Sequence, residues 1–314
     1  DSITIPQYLQ NRFMSKSTAI RSVCAVIIFV FFLVYTASAF STGAKLFQYV
    51  FHFDYVTALT IGSIVIIAYT FLGGFLAACW TDFIQGMLMF AALVIVPIAA
   101  AFNTPGLSSD FIVSLGGDNF LNLFADASGK VALVTIISGL VWGLGYFGMP
   151  HILVRFMAIK NEHEVKKSRV VAIVWILVSL SASCFMGAIG RAFFIHNPIG
   201  NAENVFIELI SDIFTNHLAI PFVGGLLLCG ILAAIMSTAD SQLLVTASSI
   251  SEDVYKGVVN KKAGDKSMLL VSRITVLAVS AVAFFIALDP NSSVMGLVSN
   301  AWAGFGATFG PDRK

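Results

Sequence analysis

Ser138-Gly-Leu-Val-Trp-Gly-Leu-Gly-Tyr-Phe-Gly-Met-Pro-His151 places four glycines and a proline inside one apolar stretch long enough to cross a bilayer. Gly139 and Gly143 form a GxxxG pair, for which close helix packing is the plain reading. Packing alone does not require Gly145, Gly148 and Pro150 as well. Proline removes a backbone donor and disfavours helix at the residue before it, so the spacing predicts a broken helix. In a membrane such irregular backbone is tolerated only where it is buried in protein or lines a cavity. Discontinuous helices near the midplane are how secondary transporters present backbone groups to a substrate and its coupling ion. Trp142 and Tyr146, four apart, share a helical face. They either wall a pocket for a small solute with an apolar portion or simply meet lipid and core.

The rest of the chain fits a membrane setting. It is 58% hydrophobic and only 11% charged, with a mean hydropathy of +0.89, whereas a soluble domain carries about 25% charge. A net charge of +1 implies neither nucleic acid nor acidic partners. At about 20 apolar residues per span, seven complete helices are expected, at 21–50, 55–72, 75–101, 131–153, 168–195, 219–250 and 270–288. An eighth begins near Val294. One all-α transmembrane domain over 1–314 is therefore expected. The chain starts at Asp1 without an initiator Met and ends at Gly310-Pro-Asp-Arg-Lys314 after an apolar run, which reads as an internal piece of a longer polypeptide. Cys24, Cys79, Cys184 and Cys229 sit in apolar segments without metal-type spacing and read as buried free thiols.

Charge placement predicts orientation. Loop 154–169 holds Arg155, Lys160, Lys166, Lys167 and Arg169, and loop 252–273 holds Lys256, Lys261, Lys262, Lys266 and Arg273. With Arg12, Lys16 and Arg21, these regions carry 13 of the 18 basic residues, so all three are expected on the cytoplasmic side. Loop 102–130, with Asp110, Asp118 and Asp126, and loop 196–218, with no Lys or Arg, are expected outside. The span count satisfies this alternation. Within 201–217, Val205, Leu209 and Ile213 with Phe206, Ile210 and Phe214 read as an amphipathic helix at the outer mouth, either an interfacial anchor or a lid.

Two more polar features lie at membrane depth, the first of them after a tight cytoplasmic turn. Gly73 and Gly74 supply a tight turn between the second and third spans. Asp82 follows about two helical turns later and reads as an ion ligand, a gate, or a group paired with a basic residue. Gly230-Ile-Leu-Ala-Ala-Ile-Met-Ser-Thr-Ala-Asp-Ser-Gln-Leu243 puts Ser237, Thr238 and Asp240 inside an apolar span. Thr238 can bond back to the Ala234 carbonyl, as a lone Thr often does. Adjacent hydroxyls with a carboxylate beyond them point instead to a cation site, because hard cations prefer oxygen ligands. Proton coupling through Asp240 is the alternative.

Together these residues resemble the solute:sodium symporter family, most closely its bacterial sodium/proline symporter branch. The matching segments are Thr4–Phe13, Tyr69–Gln85, Trp142–Phe156, Ala202–Leu209, Ile231–Leu243 and Gly296–Pro311. The resemblance implies a LeuT-type five-plus-five inverted-repeat core, entered just before core helix 3 and left in core helix 10. It implies Na⁺ ligands at Ala234 (carbonyl), Ser237 and Thr238 (hydroxyls), with the remaining ligands on core helix 1. It further implies a substrate pocket at Trp142, Tyr146 and Pro150, and an ion-coupling role for Asp82. Asp240 departs from the proline-branch pattern, although other members of the family carry an acid there.

The expected function is Na⁺-coupled symport of L-proline by alternating access, in a multi-pass protein of the cell inner (plasma) membrane. The expected partners are L-proline, Na⁺ and membrane lipid, with no nucleic acid and no obligatory protein partner. No cofactor is expected beyond Na⁺ as coupling ion. Competing expectations are symport of another amino acid or an organic acid, and a symporter-like sensory domain fused to a signalling kinase. An enzyme is not expected, because no catalytic dyad or metal cluster is evident and the five histidines are scattered.

Overall fold

The computed structural model describes residues 2–116, 119–120, 122, 124–126 and 128–310. Asp118 and the 311–314 tail, both cited above, lie outside these residues. The helices are α1 (Ile5–Arg12), α2 (Ala19–Phe51), α3 (Tyr55–Leu72), α4 (Phe75–Phe102), α5 (Ser109–Gly116) and α6 (Leu133–Trp142), then α7 (Pro150–Met157) and α8 (Glu162–Phe193). They continue as α9 (Val205–Ile210), α10 (Pro221–Ser248), α11 (Asp265–Ile286) and α12 (Val294–Phe309). Among the described residues five helices are long and apolar enough to cross a membrane, and α6 and α7, bent by 46° at their break, pass the same test together. Apolar α3 and α12 occupy the two remaining expected positions, at 18 and 16 residues.

Boundaries moved where a helix carries polar residues beyond its apolar run. The expected loop 154–169 is mostly helix, because α7 runs to Met157 and α8 begins at Glu162. Loop 252–273 shrinks similarly, since α10 continues as a π-helix over Ser249–Val259. Asn260 N–H closes that stretch on the Tyr255 carbonyl at 2.7 Å, five residues back. Hydropathy cannot register such extensions, because backbone hydrogen bonds hold a polar helix as well as an apolar one. The Gly73–Gly74 turn is as expected: Gly73 caps α3, and Gly74 takes φ +135°, a conformation that side chains rarely adopt.

The chain forms two compact units. The first comprises Asp1–Asp82, Val141–Glu162 and Ile235–Lys314. Its central element is α2, against which α3, α11 and α12 pack. Lipid is as apolar as leucine, so close packing rather than water exclusion holds such helices together. Accordingly α2 buries Ala37, Ser38, Ala39, Ser41, Gly43 and Ala44, and Gly43 faces Gly62 of α3. Farther along, Ile28 and Phe32 of α2 join Met149, Trp302 and Phe305 in one buried cluster.

A polar anchor secures α1, α2 and the end of α10. Thr4 Oγ1 and Arg21 Nε each donate to Asp253 Oδ1 at 2.8 Å, and Arg21 Nη2 donates to the Glu252 carbonyl at 3.2 Å. Thr4 also caps α1 by accepting from Gln7 N–H. Asp253 is fully buried, and its pairing is what makes a carboxylate tolerable there.

The second unit comprises Phe83–Leu140 and His163–Ala234. Its core joins Ala92, Val96 and Ala100 of α4 with Met186 and Ile189 of α8, Leu209 and Ile210 of α9, and Leu227 of α10. Close approach depends on two glycines: a Cβ at Gly190 would lie 2.5 Å from Val205 Cγ2, and one at Gly230 would lie 2.9 Å from Ala92 Cβ. The 201–217 segment is α9 followed by a π-helical turn, Ser211–His217. Leu209, Ile210, Ile213 and Phe214 are buried in this core, so the apolar face is occupied by protein rather than lying free at an interface. Outward-facing Val170, Val174, Leu177 and Phe185 mark α8 as a lipid-facing helix. The cysteines are free as expected, but Cys184 and Cys229 face outward instead of into the core. An apolar surrounding medium removes the cost of exposing a small hydrophobe.

Candidate functional site

The broken helix builds the first part of the site. After Trp142 the chain tightens into a 3₁₀ segment, Gly143–Gly148, then Met149 turns extended at ψ 109°. Pro150 restarts the helix at its first position, where its missing N–H costs nothing. The glycines divide their work differently from the GxxxG reading. A Cβ at Gly139 or Gly143 would meet nothing within 4 Å. A Cβ at Gly145 would lie 2.9 Å from the Trp302 ring, and one at Gly148 only 2.3 Å from the Phe305 carbonyl oxygen. Gly145 and Gly148 therefore bring the break against α12, a partner about 150 positions along the chain.

That contact collects aromatic rings. Trp302 stacks on Trp142 (centroids 5.5 Å, planes 18° apart) and meets Tyr146 edge-on at 4.5 Å. Both geometries suit ring quadrupoles. Trp142 and Tyr146 are half-buried, and Pro150 is fully buried at the base of the break. His151 follows with its ring 5.7 Å from Phe32, and its buried Nδ1 has no hydrogen-bond partner. The structure thus joins Trp142, Tyr146 and Pro150 in one locus and adds Trp302, which the sequence reading did not assign to it. The available signal was a lone Trp among small residues, Asn300-Ala-Trp-Ala-Gly-Phe-Gly306.

The second part is polar. Asp82 on α4 and Asp240 on α10 converge on Arg155 and Ser241. Arg155 pairs with Asp82 Oδ2 and donates to Ser241 Oγ at 2.6 Å. Ser241 Oγ lies 3.4 Å from Asp82 Oδ2 and 3.3 Å from Asp240 Oδ1. A hydroxyl has one proton and serves one carboxylate at a time. Asp82 Oδ1 is buried without a partner, and the Tyr69 hydroxyl lies beside Asp240. Two carboxylates thus face one guanidinium, and Asp240 is 1% exposed. Unsatisfied buried carboxylate oxygens are costly, and the remaining negative charge with hard oxygen donors suits a small alkali cation. A cavity of about 20 Å³ borders Arg155, Ser241 and His151, roughly one water in capacity.

Arg155 is the residue that orientation counting misplaced: it read as a loop charge, and it lies inside α7. Its signal was position, five residues past Pro150 on a helix whose other residues are largely apolar. Ala234, Ser237 and Thr238 precede the polar cluster on unbroken α10. Spacings of three and four bring them to one face of that helix.

A model of the sodium:solute symporter family matches residues 1–312. The chain belongs to that family. Within it, the chain is 44% identical over 315 residues to the high-affinity proline transporter PutP of Bacillus subtilis (strain 168), covering 99% of this chain and 64% of that one. It is 42% identical to the osmoregulated proline transporter OpuE of the same strain, over 99% of this chain and 62% of that one. It is also 42% identical to the sodium/proline symporter of Escherichia coli (strain K12), again over 99% and 62%. The chain thus spans slightly less than two thirds of the length of these relatives. Among solved structures, a Na⁺-coupled sialic acid symporter in a substrate-bound outward-open state matches with a TM-score of 0.75 and 17% identity. That match covers 96% of this chain and 65% of the other, and it establishes the shared LeuT-type fold.

Proposed function

We propose that this symporter carries L-proline into the cell, driven by Na⁺, through alternating access of a single transporter domain in the plasma membrane. The basic regions before α2, around 154–169 and around 252–273 then face the cytoplasm. The observation that carries the reading is the position of α7. Pro150 starts this helix at the aromatic locus, and Arg155 holds the carboxylate cluster five residues on, about 7.5 Å along the axis. One short helix therefore belongs to both parts of the site. A shift of α7 that admits or releases a solute beside Trp142 and Tyr146 also moves the guanidinium that competes with a cation at Asp82 and Asp240.

In this reading Ala234, Ser237 and Thr238 contribute oxygens to one Na⁺ site, while Asp82 and Asp240 form a second ion-coupling locus. The names of the relatives support proline and sodium as the transported pair. A cavity of about 580 Å³ lined by Thr4, Phe71, Met157, Ser249 and Arg273 serves as the cytoplasmic end of the path.

Equilibrium binding to the purified full-length protein tests the coupling. Saturating Na⁺ should lower the proline Kd about tenfold relative to choline, and saturating proline should lower the Na⁺ Kd by the same factor, as linkage requires. Proline affinity indifferent to Na⁺ would contradict the proposal.

A further inference from the structure

The 580 Å³ cavity of the first unit has the size of pockets that take drug-sized ligands, roughly 300–1,000 Å³, rather than a single imino acid. Its walls are mostly apolar, with Phe71, Val154, Leu244 and Val245 among them, and Arg273 is the one cation among the described residues that line it. Arg273 lies eight residues into α11, between Leu270 and Ile274, which are 59% and 56% exposed on the lipid-facing side. A cation at such a depth is expensive and calls for a function. Its guanidinium covers the Phe71 ring at 5.0 Å, and none of the ion pairs among the described residues includes it. Snorkelling to the interface accounts for a cation on this helix but not for a large apolar cavity beside it. Phe75 and Leu269 line that cavity while remaining 46% and 53% exposed, so it opens sideways between the first turn of α4 and α11. The medium on that side is the lipid that bathes Leu270 and Ile274.

We propose that this cavity is a binding site for an anionic membrane lipid, its phosphate on the Arg273 guanidinium and one acyl chain along Val154, Leu244 and Val245. The planar guanidinium fork matches phosphate oxygens, and the hydroxyls of Ser248 and Ser272, which also line the cavity, can donate to the same group. Moving a chain from the bilayer into an apolar cavity gains little, because lipid is as apolar as leucine. The headgroup pair therefore carries the selectivity, and the chain keeps the ligand membrane-borne. A lipid resident here obstructs the cytoplasmic end of the path; that consequence, unlike the binding, rests on the transport reading above.

The test places the full-length protein in nanodiscs of equal phosphatidylglycerol and phosphatidylcholine and counts the lipid it retains by native mass spectrometry. Wild type should retain the anionic lipid over the zwitterionic one by about tenfold, the scale of a charge-assisted hydrogen-bonded pair. Arg273→Gln should bring that ratio to within about twofold of unity. Lys266→Gln, which removes an exposed cation from the first turn of the same helix, should leave it unchanged. Equal losses in the two variants would show general interfacial attraction and overturn the proposal, as would a wild type without preference. Loss of the preference on adding millimolar inorganic phosphate would mark a site for the free anion and overturn the lipid assignment. If Arg273→Gln does not insert, phosphatidylglycerol with a photoreactive chain end decides on the wild type. Labelling of Met157, Leu244 or Val245 supports the site, and labelling confined to Leu270 and Ile274 overturns it. Neither readout uses transport. A protein that retains the lipid but takes up no proline fails the transport reading alone, and one that carries proline without the lipid preference fails only this inference.

Discussion

Asp82→Asn should raise the Na⁺ concentration for half-maximal proline uptake by about 100-fold, close to 2.7 kcal/mol. The substitution preserves shape and removes one charge, leaving Asp240 and Arg155 to neutralise each other. A cation about 4 Å from the lost charge forfeits roughly 4 kcal/mol at an effective dielectric near 20. Freeing the Arg155 guanidinium from Asp82 lets it turn fully to Asp240 and Ser241, which further disfavours a second cation and argues against a smaller effect. Water entering the cluster offsets part of the loss, hence the lower figure. Proline affinity measured at saturating Na⁺ should change less than about threefold, because the aromatic locus keeps its contacts. Na⁺ titration of initial uptake rates in proteoliposomes checks this. A half-saturation constant within twofold of wild type would remove Asp82 from ion coupling and leave its pairing with Arg155 structural.

Trp142→Ala should do the converse, raising the proline KM roughly 30-fold with little change in Na⁺ half-saturation at saturating proline. The indole offers a π-face whose interaction with a desolvated cation is worth about 2 kcal/mol, which corresponds to the stated factor. Its loss also unstacks Trp302, so some destabilisation accompanies the change. Trp142→Phe separates the effects: it keeps a ring against Trp302 and should recover most of the affinity. Kinetics of labelled proline uptake, normalised to inserted protein, read both variants. A proline KM unaffected by Trp142→Ala would place the substrate elsewhere.

Much of this architecture is legible in the chain because bilayer thickness and backbone chemistry leave few options. The apolar runs marked the membrane helices, the alternation of basic and acidic loops agreed with their number, and Pro150 located the break to within one residue. Met149 turns extended because the residue before a proline avoids the helical region. What was not legible depends on partners distant in sequence. Gly145 and Gly148 read as part of a helix break that packing alone did not require, yet they admit α12, whose contact no periodicity within 138–151 encodes. Arg155 was counted as a loop charge because hydropathy ends a helix where polarity begins, whereas α7 carries its guanidinium inward to Asp82. Trp302 had no local sign of its role, since an apolar helix with one tryptophan is ordinary. Asp253 likewise read as part of a polar loop, although Thr4 and Arg21, more than 200 residues earlier, hold it in the core.

The same reasoning separates the two parts of the site. Aromatic residues four apart could be paired from the sequence, because helical geometry alone relates them. The carboxylates Asp82 and Asp240 could not, since 158 positions separate them and only the packing of α4 and α10 residues within the first unit brings them to one serine.

The central claim is that an inward Na⁺ gradient drives proline uphill, and gradient-driven accumulation in proteoliposomes holding the full-length protein measures it directly. With Na⁺ outside and potassium inside, labelled proline should concentrate severalfold above the bath, then leak back when the gradient collapses. Replacing Na⁺ by choline should abolish accumulation. Equal uptake in choline, or equilibration without concentration in Na⁺, would contradict the account.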